Sequence, residues 1–189
     1  MNTFDPSAYG PGLAALLMES RLMPLGPGNP NTKLQPQLKA LTLEQAFAHA
    51  TIRDHDMAKC CTAGLWLYHD FLDESHTLSQ EIHTTSGSYW HGIMHRREPD
   101  YSNAKYWFER VGNHLIFESL AADGKEIAKG DSGDLAKLLN HQNTWDPFAF
   151  VDLCEQAAGS TSEMLCRRVQ QREWELLFEY CYRQALGKK

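Results

Sequence analysis

The sequence is short of the features that would assign it at once. It has no run of eighteen or more apolar residues, so no segment is expected to span a bilayer. The opening Met1-Asn2-Thr3-Phe4-Asp5 lacks the positive start of a secretory signal, and the apolar stretch Leu13–Met18 is cut off by Glu19 and Arg21. Basic charge is not in excess: the formal net charge is −6, which argues against nucleic acid as a partner. No C-x-x-C spacing links Cys60, Cys61, Cys154, Cys166 and Cys181, so the spacing gives a cysteine-based zinc site no support. Unpaired cysteines in apolar patterns behave as small core residues and fit a reducing, cytoplasmic compartment. Nucleotide loops of the G-x-x-x-x-G-K-[ST] or G-x-G-x-x-G kind are missing, as is a G-x-S-x-G elbow. Period-2 alternation of useful length is missing too, which removes half-buried strands.

What is present reads as helix. With 189 residues, 42% of them hydrophobic and 22% charged, the chain is long enough for one domain with its own core. The expected class is all-α: an irregular single-domain bundle over 1–189. Residues 10–22 read as a first helix. Pro24, Gly26, Pro27, Gly28, Pro30 and Pro36 make 23–40 an extended arm with no helix in it. Thr42 and Gln45 form a capping box, and Asp54 can cap the helix that follows. A long segment over 55–83 carries Leu67, Phe71, Leu78 and Ile82 on one stripe, with a candidate break at Asp73–Ser75. Pro99 ends a helix over 88–97, and Gly112 ends the next. Residues 123–134 read as a surface loop. Asp146-Pro147 starts another helix, and Ser160 with Glu163 starts the last.

Chemistry concentrates between His69 and Arg110. Five of the nine histidines fall between positions 69 and 95. His69, Asp73, His76, Gln80 and His83 share one face if their helix is continuous, either as a solvated surface or as the wall of a polar cleft. His91 and His95 stand at i and i+4, so their rings can reach one point beside a helix. Such a pair suits Zn²⁺, Ni²⁺, Mn²⁺ or Fe²⁺, with His76, His69 or Glu98 completing the shell. It is not an H-E-x-x-H motif, because Gly92 stands where the glutamate would be. A buried histidine pair held by hydrogen bonds is the alternative. From Tyr89 to Arg110 the chain mixes six aromatic residues with Arg96, Arg97, Lys105 and Arg110, a blend suited to a pocket with aromatic walls. Trp90, Arg96, Arg97, Asn103, Lys105 and Arg110 are the candidate substrate-binding residues. Glu98, His76 and Tyr106 are the candidate acid–base groups.

The block Ser88–Gly112, with Leu72–Gln80 ahead of it, resembles a family of small, largely uncharacterised microbial proteins. The resemblance covers the middle quarter of the chain and implies no activity, cofactor or residue role. The residues themselves are compatible with three functions. The first is a metal-dependent enzyme acting on a small polar or anionic substrate. The second is a metal-free sugar- or carboxylate-binding protein, or an acid–base isomerase or lyase. The third is a non-catalytic interaction protein using the proline-rich arm. Self-association into a homo-oligomer is compatible with each.

Overall fold

A computed structural model describes residues 3–141 and 143–188, so Met1 and Asn2 of the opening lie outside it. The described residues form helices and no strands. After a 3₁₀ turn at Pro6–Tyr9 come α1 (Gly10–Leu17), α2 (Gln35–Ala40), α3 (Leu43–Ala46) and α4 (His55–Tyr68). Then follow α5 (Leu72–Ser79), α6 (Thr85–Arg97), α7 (Tyr101–Val111) and α8 (Phe117–Ile127). The chain closes with α9 (Asp134–His141), α10 (Pro147–Ala157) and α11 (Glu163–Ala185). No helix among the described residues is long and apolar enough to cross a membrane. All five cysteines are buried free thiols.

Local chemistry explains most boundaries. Thr42 and Gln45 close both bonds of the capping box. Asp54, Asp100 and Asp146 each accept a backbone N–H at the start of α4, α7 and α10. Gly112 ends α7 at φ 60°, where a side chain would be strained. Several boundaries differ from the sequence expectation. The first helix stops at Leu17. Pro36 sits in the first turn of α2, where it has no helical N–H to lose, so the arm ends in a helix. The expected 123–134 loop shrinks because α8 reaches Ile127 and α9 starts at Asp134. Ser160 and Glu163 do not box with each other: Ser160 accepts from Ser162 N–H and Glu163 from Gly159 N–H.

The long 55–83 segment breaks at His69–Phe71 rather than at Asp73–Ser75. Asp70 adopts φ 64°, and its carboxylate is drawn to Arg21 and Arg97. The turn splits the supposed histidine stripe. His69 is buried against α1, with Nε2 2.7 Å from the Leu16 carbonyl, whereas His83 is exposed. His76, on α5, goes elsewhere.

Side chains tie down the arm. A proline-rich segment cannot pass its carbonyls to a helix or sheet, so other donors must reach them. Arg97 donates to Gly26 O, Pro27 O and Leu67 O, Arg167 to Met23 O and Leu22 O, and Gln170 to Pro24 O.

α6 is the central helix, and every residue from Ser86 to Arg97 is buried. Its Gly92 lets α7 approach, since a Cβ there would meet the Phe108 ring at 3.1 Å. A buried helix with this many polar side chains must partner them internally. Arg96 pairs with Glu173 on α11 and Arg97 with Asp70. Ser86 meets His114, whose Nε2 lies 3.0 Å from Ser86 Oγ.

Burial pushes the His114 ring down to about 4. An unfolded histidine takes up its proton near pH 6.5, while the folded ring stays neutral to about pH 4. The unfolded state therefore binds more protons in this window, and stability falls as pH falls through it. Between pH 7 and pH 5 the metal-free chain is expected to lose roughly 2 kcal/mol through this ring. Urea midpoints at the two pH values should show that loss, reduced in His114→Gln. An equal pH slope in the variant would contradict the assignment.

Candidate metal centre

The helical hairpin α6–α7 and the neighbouring α5 bring three imidazoles together. His91 and His95 lie one turn apart on α6, and their Nε2 atoms are 2.9 Å apart. His76 enters from α5, its ring centre 4.6 Å from that of His91 and 5.3 Å from that of His95. One ring nitrogen from each lies within 4.8 Å of the others. Ligands on one tetrahedral metal sit about 3.3 Å apart at bond lengths near 2.0–2.1 Å. A shift of about 1.5 Å or less would close the triangle. The half-buried His76 is the ring with room to make it, since no described hydrogen bond holds it.

The surroundings suit ligand imidazoles. Glu98 Oε2 is 3.0 Å from His95 Nδ1 and accepts its proton there. That fixes the tautomer with the Nε2 lone pair facing His91. Glu98 thus acts on the outer nitrogen of His95 rather than as a third ligand. The Asn103 amide nitrogen is 3.1 Å from His95 Nε2 and 3.4 Å from Nδ1. An atom in line with one ring nitrogen cannot also reach the other, so the amide lies over the ring face. Trp107 stacks on His91 at 3.9 Å and 20°.

Burial drives both α6 rings towards the neutral form. His91 is pushed down to about 3, first by burial and then by His95 and His76. His95 is also lowered by burial, with Glu98 opposing. Neutral imidazole is the form that binds metal. Three buried polar atoms of α6 have no partner: Trp90 Nε1, Arg96 Nε and His91 Nδ1. The first two carry protons and cannot coordinate a cation. Only a histidine ring among them can offer a lone pair, and the His91 nitrogen that faces His95 is Nε2, not the unpartnered Nδ1.

The other sequence candidates fall in different places. Trp90 is fully buried beside Gly64 and Trp174. Arg96 and Arg97 are equally buried and engaged by Glu173 and Asp70, which leaves neither guanidinium for an anionic ligand. Lys105 pairs with Asp152. Tyr106 is half exposed and turns towards Arg110, which donates to its hydroxyl at 3.2 Å. His69 lies against the arm. Trp107, one of the six aromatic residues of the block but not a named site candidate, stacks on His91 and walls the cluster. Its spacing from Asn103, i and i+4 on α7, was the signal that could have placed it.

Compared with family models, with curated proteins and with solved structures, the chain matches none of them.

Proposed function

We propose that this chain is a metalloprotein in which His76, His91 and His95 hold one divalent transition ion, and that the ion serves a reaction on a small polar or anionic substrate. The observation carrying this reading is the convergence of three ring nitrogens within 4.8 Å, two of them from buried histidines. Three imidazoles without thiolate favour Zn²⁺, Ni²⁺, Mn²⁺ or Fe²⁺. Three protein ligands leave a position for water, whose pKa falls towards about 7 on such an ion. Glu98 orients His95 and raises its basicity, while Trp107 keeps water from one face of His91. Five buried free thiols fit a reducing compartment such as the cytoplasm.

The test is metal content. Untagged protein, loaded with Zn²⁺ or Co²⁺ and dialysed, should retain one ion per chain. Retention of none, with the fold intact, would leave His91 and His95 as a metal-free acid–base pair. A milder variant probes the outer contact. Glu98→Gln should weaken metal binding by about 10–100-fold, the usual cost of losing a carboxylate behind a ligating histidine. Competition with a chromophoric chelator measures it, and unchanged affinity would remove Glu98 from the site.

A further inference from the structure

The histidine cluster has two unlike ends. α6 and α7 run antiparallel, with Asn103 on His95 and Trp107 on His91. At the His95 end stand two acidic residues: Glu98, whose carboxylate lies 3.0 Å from His95 Nδ1, and Asp100, whose backbone N–H donates to the His95 carbonyl. Moving along the same face of α7, the residues at i, i+4 and i+7 are Asn103, Trp107 and Arg110. Arg110 thus stands beyond the His91 end, about 4.5 Å further along the helix axis than Trp107.

Of the four permanent cations between Arg96 and Arg110, three are neutralised by Glu173, Asp70 and Asp152. Arg110 is exposed and has no carboxylate partner among the described residues. It is held without one. Its guanidinium carbon lies 5.3 Å from the centre of the Trp107 ring and 5.7 Å from that of Tyr106, and Nη1 donates to the Tyr106 hydroxyl. Aromatic neighbours position the fork while most of its N–H groups stay available. The ring beneath it is the ring that stacks on His91.

We propose that Arg110 is the anchor for an anionic head group, and that the ligand of this site is a small two-headed anion. One head, a carboxylate or phosphate, pairs with the Arg110 fork. The other enters the coordination sphere of the ion held by His76, His91 and His95. The connecting atoms lie along Trp107 and Tyr106. Glu98 and Asp100 repel the anion from the opposite end, which sets the direction of binding. This assignment rests on the metal site proposed above.

The full chain loaded with Co²⁺ tests it, because the visible spectrum of cobalt reports a ligand entering its shell. Acetate, succinate and 3-phosphonopropionate are titrated in turn. Both two-headed anions, or the one whose head group matches the natural ligand, should bind at least about tenfold tighter than acetate, a modest return for one charge-assisted pair. Arg110→Gln should erase that advantage and leave cobalt affinity unchanged, which also shows that the variant is folded. A preference for succinate alone names a carboxylate head, and one for the phosphonate alone names a phosphate. Equal binding of all three anions, or an advantage that survives Arg110→Gln, overturns the anchor and leaves the metal site standing. Failure of cobalt to bind at all overturns the metal site, and the anchor with it.

Discussion

Arg96→Met is expected to destabilise the chain by about 3–5 kcal/mol, the cost of breaking a buried ion pair from one side. Both partners are fully buried: Arg96 on α6 and Glu173 on α11. The guanidinium also donates to Gln170 and lies 4.7 Å from the centre of the Phe150 ring, so it is packed as well as paired. After the substitution the Glu173 carboxylate would keep only the Tyr89 hydroxyl, 3.0 Å away. For a chain of this length the loss should lower the melting temperature by about 10 °C or more. Adding Glu173→Leu should restore much of it, because an apolar pair of similar volume avoids the stranded charge. A single variant that melts within 2 °C of wild type would show that the pair is not buried as described. The pair matters to the site because it fixes α6, and α6 carries two of the three imidazoles.

Saturating Zn²⁺ is expected to stabilise the folded chain through the three histidines. An ion that binds only the native state at a hundred times its Kd adds about 2.7 kcal/mol. The melting temperature should then rise by about 5–10 °C. His91→Ala and His95→Ala should each abolish the rise, since two imidazoles hold an ion far less well than three. His83→Ala is the control. That histidine is exposed and outside the cluster, so its loss should leave the whole shift in place. A shift of equal size in His91→Ala would mean that zinc binds somewhere else.

The parts of this arrangement differ in how legible they are in the sequence. The caps were the clearest part, because Thr42, Asp54, Asp100 and Asp146 act on backbone only two or three residues away. The His91/His95 pair was legible for the same reason: helical spacing alone brings the rings together. His76 could be named but not placed. Its position depends on the turn at Asp70, and that turn depends on Arg21 and Arg97, residues 49 and 27 positions away in sequence. The arginines were the least legible. A guanidinium beside aromatic residues looks like a binding group until its buried carboxylate is found, and for Arg96 that carboxylate lies 77 residues on. Helical periodicity carries no information at that range.

The same limit applies to the arm. Its prolines excluded a sheet, yet nothing local showed that Arg97, Arg167 and Gln170 would hold its carbonyls. The arm is consequently part of the scaffold, fastened through Arg97 to the helix that carries the histidines.

The most direct test of the central claim is X-ray absorption at the metal edge of zinc-loaded protein. The expected spectrum has three imidazole nitrogens at about 2.0–2.1 Å, with the outer-ring scattering of histidine and the remaining position filled by oxygen. Fewer than three imidazoles, or sulfur in the shell, would contradict a centre built from His76, His91 and His95.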